Sequence, residues 1–159
     1  MKITATLLYF NKLNLNNRIY KKENIDLEKI NEMIENGFYG ELGYPEEVSF
    51  DFTHLNNISH KIEKVYIKNN ELKAHINILD TNKGIIVKNL INESLTIFEK
   101  IEIKISQFFG KRINIEFFNI PFVFRPRCIG TVKNNIIFVD KIISFDIIDK
   151  STDSFNKNN

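Results

Sequence analysis

The chain has 159 residues, which is enough for one domain of ordinary size and too few for two. Hydrophobic residues make up 43% and charged residues 26%, close to the average of soluble globular proteins, so wholesale disorder is excluded. The 22 basic and 20 acidic residues are scattered along the chain, which argues against a dedicated nucleic-acid-binding surface. The single cysteine, Cys128, excludes an internal disulfide and any multi-cysteine metal site.

The amino-terminal part of the chain predicts a strand, a helix and a loop. Lys2–Phe10 is rich in Thr, Leu and aromatic residues and lacks the cleavage pattern of a signal peptide, so it predicts a strand. Apolar residues in Leu27–Ile34 recur at helical spacing, with Asn24 or Asp26 available as the N-cap. Three of the six glycines lie in Gly37–Pro45, which predicts an irregular loop.

The middle of the chain predicts a β-hairpin followed by a helix. Ile58–Glu63 alternates between apolar and polar residues, and Leu72–Leu79 is a second β-rich stretch. Asn69–Asn70 lies between them, and asparagine tolerates the left-handed backbone that a hairpin turn needs. Thr81–Gly84 predicts a turn into a short helix, Ile85–Ile91.

The carboxy-terminal half predicts further strands and a mobile polar tail. The predicted strands are Ile101–Ser106, Ile113–Phe118, Ile129–Val139 and Ile142–Ile148. The tail runs from Ser151 to Asn159. Together the elements predict a single α+β domain over residues 1–150, mainly an antiparallel β-sheet or barrel with two helices. No apolar run approaches the ~18 residues of a membrane span, so we expect a soluble, intracellular protein without membrane association.

Four separated segments occur in the order of the motifs of a known family. They are Asn16–Tyr20, Gly40–Pro45, Ile58–Ile62 with Leu72 and Ile78–Gly84, and Ile143–Ser151. In that order they resemble the N-G-R-x-Y segment, the G-E-x-x-H-P loop, the catalytic-histidine strand with its I-L-x-T-P-x-G turn, and the closing F-D-I-V-x-x-P-S segment of the prohead (head-maturation) proteases of tailed bacteriophages. This resemblance implies a prohead-protease-like fold.

The chain departs from the family at the nucleophile. The family uses a serine in a strand ending S-S-R-G, with a histidine as general base, because a hydroxyl needs a base to take its proton. When the motif L-G-x-S-S-R-G-x-G-T-V is placed on Phe122–Val132, the serine positions become Arg125 and Pro126, whereas Arg127 is retained. His60 then corresponds to the general base, as a relic without a nucleophile. This alignment predicts a pseudo-protease.

Two other residues are alternative nucleophiles. Ser106 aligns without an insertion, but the Arg-Gly that follows the family serine is lost. It also alternates with Glu102 and Lys104 on one polar face, so the other interpretation is a solvent-facing strand serine. Cys128 falls where the family has glycine, and a lone cysteine in a β-rich domain is usually a small buried hydrophobe. Catalysis through His60 and Ser106 stays the fallback hypothesis.

The three histidines also have structural interpretations. His60 lies on an otherwise apolar strand face, where a histidine is more often a hydrogen-bonded core residue. His54 and His75 are interpreted as ordinary polar residues. No short metal-ligand spacing such as H-E-x-x-H is present, so the sequence predicts neither a metal nor a cofactor.

An aromatic stretch, Phe117–Phe124, is the candidate contact surface. Pro121 interrupts it, and its rings cannot all face inward on one strand, so some are expected to be exposed at a protein interface. Stacking on single-stranded nucleic acid is the alternative. When the family's serine motif is aligned with Phe122–Val132, Glu99–Pro121 is a segment that the family lacks. The predicted binding residues are Phe122, Phe124, Arg125 and Arg127.

The resemblance therefore implies a viral structural protein rather than an enzyme. We expect an auxiliary or decoration capsid protein of a bacteriophage head, which binds the major capsid protein and other head proteins. Its expected location is the virion capsid and, during assembly, the host cytoplasm. The alternatives are an active serine prohead protease using His60 and Ser106, and an assembly scaffold or protease inhibitor.

Overall fold

The computed structural model describes residues 1–44 and 50–155, which contain eight β-strands and three α-helices. The strands are β1 (Lys2–Tyr9), β2 (Ile19–Tyr20), β3 (Phe38–Glu41), β4 (Ile58–Lys68), β5 (Glu71–Ile78), β6 (Ile113–Asn114), β7 (Phe122–Lys133) and β8 (Ile136–Asp149). The helices are α1 (Leu27–Glu35), α2 (Asn82–Glu93) and α3 (Ile97–Phe108). None of these helices is long and apolar enough to cross a membrane.

The strands form two sheets that meet along β3 and β8. The larger sheet has the order β3-β4-β5-β1-β6 and the smaller one the order β2-β8-β7. Neighbouring strands are antiparallel except for β1 with β6 and β2 with β8. Between the sheets, the rings of Phe38 and Phe145 lie 5.8 Å apart in the core. This is the predicted α+β class, although the described strands do not close into a barrel and three helices are present rather than two.

Pairs of asparagines turn the two long hairpins. Asn69 and Asn70 have φ values of 52° and 60°, the left-handed conformation of a two-residue hairpin turn, and join β4 to β5 as predicted. Asn134 and Asn135, with φ values of 49° and 64°, join β7 to β8 in the same way. The single strand predicted for Ile129–Val139 is wrong, because this turn lies inside it.

Side-chain caps mark the starts of α1 and α2. Asp26 accepts a hydrogen bond from the Lys29 N–H at 3.1 Å, which confirms one of the two predicted caps of α1. Thr81 accepts one from the Gly84 N–H at 3.0 Å. Because this cap satisfies the first turn, α2 begins before the predicted Ile85.

The strand predicted for Ile101–Ser106 is wrong, since these residues belong to α3. Its isoleucines alternate with polar residues as they would in a strand. Upstream, however, Thr96 and Glu99 form a capping box, in which each side chain accepts a hydrogen bond from the other residue's N–H. The box satisfies N–H groups that the first helical turn leaves free, and it favours a helix over the short alternation.

Two further predicted elements need correction. Of Ile113–Phe118, only the two residues of β6 pair with β1, and the next three form a 3-10 turn. The loop predicted for Gly37–Pro45 contains β3, which pairs with β4 and places Gly40 opposite His60. Pairing with a distant strand outweighs the local preference of a glycine-rich segment for a loop. Pro45 lies outside the described residues.

The first residues of the predicted mobile tail pack against the domain. Asp153 forms an ion pair with Arg125, with Nη2 and Oδ2 2.5 Å apart. The Phe155 ring is buried, with its centroid 5.4 Å from that of Tyr9. The expectation of mobility from Ser151 onward therefore needs correction up to residue 155, because these contacts hold the segment in place. Residues 156–159 lie outside the described residues.

Candidate functional site

His60, the candidate general base, lies inside the domain. Its side chain on β4 is fully buried. Its Nε2 is 2.8 Å from the carbonyl oxygen of Phe145, and its Nδ1 is 2.9 Å from Ser59 Oγ. Because a carbonyl oxygen only accepts, we assign the proton to Nε2, and Nδ1 then accepts a hydrogen bond from the Ser59 hydroxyl. Both ring nitrogens have protein partners, and neither is free to act on a substrate.

Burial also keeps the His60 imidazole neutral. Loss of solvation lowers its pKa to about 4, although the hydrogen bond to the Phe145 carbonyl favours the protonated form. The ring of Phe124 meets it edge to face, with centroids 5.0 Å apart. A general base works best when its pKa is near the working pH, and the pKa of His60 lies well below neutrality. These contacts fit the interpretation of His60 as a hydrogen-bonded core residue.

The two positions that the family alignment gives to serine hold an ion pair and a proline. Arg125 on β7 is buried and bonds the Asp153 carboxylate twice, from Nε to Oδ1 at 2.7 Å and from Nη2 to Oδ2 at 2.5 Å. Such a two-point pair fixes both side chains. Pro126 follows and has no side-chain donor or nucleophile. Neither position offers a hydroxyl that could attack a carbonyl group.

Three residues that match the family motifs meet in one buried charged cluster. Glu41, Arg127 and Asp146 come from β3, β7 and β8, and all three are fully buried. Arg127 Nη2 lies 2.7 Å from Glu41 Oε1, and its Nε lies 2.9 Å from Asp146 Oδ2. The Ser144 hydroxyl accepts from Arg127 Nε at 3.0 Å and donates to Asp146 Oδ1 at 2.8 Å. We call these four residues the Arg127 cluster.

The charges of the Arg127 cluster are shared unequally. Burial raises the pKa of Asp146 to about 6, although hydrogen bonds from the Glu41 N–H and the Ser144 hydroxyl act to lower it. Burial also pushes the pKa of Glu41 upward, but the bonds from Arg127 and from the His54 N–H outweigh it, so this pKa lies below its usual value. Glu41 is thus the main counter-ion of Arg127. Since the whole cluster is buried, it links three strands and presents no charge to a substrate.

The pKa shifts of His60 and Asp146 predict opposite responses to pH. Unfolded His60 binds a proton near pH 6.5 and folded His60 only near pH 4. The free energy of unfolding therefore falls by on the order of 3 kcal/mol as the pH is lowered from 6.5 to 4. Folded Asp146 binds a proton near pH 6 and the unfolded residue near 3.8, so stability rises by a similar ~3 kcal/mol as the pH falls through that window.

Single substitutions should separate the two responses. As the pH is lowered from 6.5 to 4, we expect the stability of His60→Gln to increase relative to wild type and that of Asp146→Asn to decrease relative to wild type. Urea unfolding at several pH values measures both slopes, with His75→Gln as the control for a partly exposed histidine. Burial lowers the pKa of His75 as well, so this variant should show a smaller gain of the same sign as His60→Gln. If all four proteins gave parallel pH profiles, the assigned protonation states of His60 and Asp146 would be wrong.

The structure does not pair either alternative nucleophile with His60. Ser106 lies on α3 and is partly exposed, whereas the His60 ring nitrogens are bonded to Ser59 and Phe145. Cys128 lies on β7, where burial raises the pKa of its thiol and keeps it protonated. The nitrogens of His60, the base that this hypothesis requires, are therefore engaged by other partners.

The other two histidines have ordinary polar and aromatic contacts. The His54 N–H donates to Glu41 Oε1 at 2.8 Å. The His75 ring packs edge-on against Tyr66, with centroids 5.4 Å apart. Over residues 1–44 and 50–155, no three His, Cys, Asp or Glu side chains are grouped so that they could hold a metal ion.

The four predicted binding residues do not form an exposed surface. Phe122, Phe124, Arg125 and Arg127 are each at most 5% exposed. Successive residues of a strand point to opposite faces, so the two phenylalanines enter the core while the two arginines face the other way. That second face is covered by Asp153 and by the rest of the Arg127 cluster. The predicted contact surface is therefore corrected, because both faces of this part of β7 are covered.

Exposed aromatic rings lie instead on and after α3. Phe98, Phe108, Phe109 and Phe117 are between 68% and 85% exposed. Three of them fall in Glu99–Pro121, the segment interpreted as added length. The T-x-x-E pattern at the start of α3 is the signal in the sequence that locates Phe98 and Phe108 on a helix.

Comparison with known proteins identifies the class of fold. The two packed sheets with their helices form the α+β, prohead-protease-like fold that the motifs predicted. The solved structure of the bacteriophage T4 capsid assembly protease, gp21, is similar to this chain, with a TM-score of 0.60 and 18% sequence identity, and the match covers 92% of this chain and 79% of that one. No protein-family model and no curated protein sequence matches the chain.

Proposed function

We propose that this protein is a catalytically inactive relative of the prohead proteases that serves as an auxiliary or decoration subunit of a tailed-phage head. The similarity of its fold to that of the T4 capsid assembly protease supports an association with phage head proteins. The observation that carries the non-catalytic part is the occupation of both serine positions. At the first position Arg125 forms two hydrogen bonds with Asp153, and at the second Pro126 has no hydroxyl.

The environment of His60 supports the same proposal. Its ring nitrogens are engaged by Ser59 and Phe145, and its pKa of about 4 leaves it a weak base inside the core. The motif residues that remain, such as those of the Arg127 cluster, link strands of the fold. A domain that keeps this fold without a nucleophile can bind head proteins, the major capsid protein among them, without cutting them. It would act in the virion and, during assembly, in the host cytoplasm.

The proposal predicts that mature particles contain the full-length chain in a fixed ratio to the major shell protein. Quantitative mass spectrometry of purified mature heads counts both chains. If the chain were missing or present only as fragments, in heads whose other proteins carry maturation cuts, the proposal would fail. A Ser106→Ala virus would then separate the two alternatives, since only an active protease loses the cuts.

A further inference from the structure

One face of α3 is apolar and has no partner among the described residues. Six side chains on this face, with the C-cap residue Phe109 included, are between 51% and 85% exposed. We call them the α3 stripe: Ile97, Phe98, Ile101, Ile105, Phe108 and Phe109. At ~100° per residue they fall within an arc of about 120°. Ile103 lies on the opposite side of the helix and is the residue of α3 that is buried in the domain. The α3 stripe therefore faces away from the core.

The spacing of the α3 stripe is the same in both directions. Its successive intervals are one, three, four, three and one residues, centred on Ile103. A second copy of α3 packed antiparallel would therefore present the same pattern. Ile101 would lie opposite Ile105 of the other copy, and the end with Phe98 would lie opposite the end with Phe109. Self-complementarity of this kind is the property of a two-fold symmetric interface, in which one patch serves both subunits.

The area of the α3 stripe suits a stable dimer. With ~200 Å² for a buried aromatic side chain and somewhat less for isoleucine, its exposed surface is on the order of 700 Å² per copy. Specific interfaces bury about 800 Å² per partner, so two copies reach the usual size. The polar side of α3 is balanced, with Glu99 and Glu102 against Lys100 and Lys104, so no net charge opposes association.

We propose that this protein forms a symmetric homodimer in which the α3 helices of two copies pack antiparallel through the α3 stripe. The occupant of the exposed face is a second copy of the same chain. The dimer buries three phenylalanines from each copy that a monomer would expose to water. This inference does not depend on the proposed role in a phage head.

Sedimentation equilibrium of the full chain, from low to high micromolar concentration, tests association. We expect a dimer whose dissociation constant rises at least about thirtyfold in Phe98→Asp and in Phe108→Asp, since a charge would be buried in an apolar interface. Leu55→Asp is the matched control, because Leu55 is 83% exposed on another element and its change should leave the dimer intact. A monomer at all concentrations, or a dimer that survives both Phe variants, overturns the proposal.

Disulfide trapping tests the direction of packing in a Cys128→Ser background. In the antiparallel register centred on Ile103, residue 98 of one copy lies opposite residue 108 of the other. An oxidised mixture of Phe98→Cys and Phe108→Cys proteins should therefore give a linked dimer that neither protein gives alone. Linkage within each protein alone, with none added by mixing, would show parallel packing and overturn the proposed arrangement.

Discussion

Replacement of Arg127 by alanine is expected to lower the free energy of unfolding by about 3–5 kcal/mol, the usual cost of leaving a buried charge without its partner. Arg127 is fully buried between the carboxylates of Glu41 and Asp146. Without the guanidinium, these two carboxylates would face each other in a site that excludes water. The loss should shrink as the pH falls, because protonation of the carboxyl groups removes their repulsion.

Urea unfolding of the Arg127→Ala protein measures this loss. Arg112→Ala is the control, since Arg112 and Glu63 form a partly exposed ion pair worth at most about 1 kcal/mol. A triple variant, E41Q/R127M/D146N, removes every charge of the cluster and should recover much of the lost stability. If Arg127→Ala cost no more than Arg112→Ala, the cluster would not hold the strands together.

Gly40→Ala is expected to destabilise the protein by on the order of 3 kcal/mol, from overpacking and a disrupted buried hydrogen bond. A Cβ at this position would lie less than 3.0 Å from His60 Nε2 and from the carbonyl oxygen of Phe145. Those two atoms are the donor and acceptor of the bond that fixes the imidazole, 2.8 Å apart. Alanine must therefore push β3 away from β4 and β8 or break this bond.

Gly43→Ala separates this packing effect from backbone strain. Gly43 has a φ of +83°, but among residues 1–44 and 50–155, its chain neighbours aside, no atom lies within 4 Å of the place that a Cβ would take. Alanine there therefore costs only the ~1–2 kcal/mol of a left-handed conformation. NMR titration provides a second measurement, because water admitted beside the ring moves the pKa of His60 back toward 6.5 and outweighs the opposite effect of losing the Phe145 hydrogen bond. Equal losses for the two glycine variants would contradict the close packing of Gly40 against His60.

Local signals in the sequence predicted much of the secondary structure. Asn69 and Asn70 indicate a hairpin turn because two successive left-handed residues are needed there, and the structure has them. Asp26 indicates the start of α1 because its carboxylate satisfies a free N–H group. The same signals were present at Thr96–Glu99 and at Asn134–Asn135, and they outweigh the apolar alternation that suggested uninterrupted strands.

The candidate site was predictable in its chemistry but not in its exposure. Aligned motifs indicated that Arg125 and Pro126 occupy the serine positions, which is a matter of residue type. Burial depends on what covers each face of a strand, and the cover here comes from residues far along the chain. Asp153 lies 28 residues after Arg125, and Glu41 lies 86 residues before Arg127. Composition and spacing contain no information about such contacts.

The sequence by itself determined the α+β class and the turns and caps that depend on a few neighbouring residues. Its alignment with the family motif predicted Arg125 and Pro126 at the serine positions. Only the tertiary structure decided which charged and aromatic side chains are buried. Arg127 on β7 is enclosed because β3 and β8 each bring a carboxylate to it. Phe98 and Phe108 are exposed because α3 is held to the domain by its opposite face, through Ile103. Burial is a property of the packed elements, because each face depends on distant residues to exclude water.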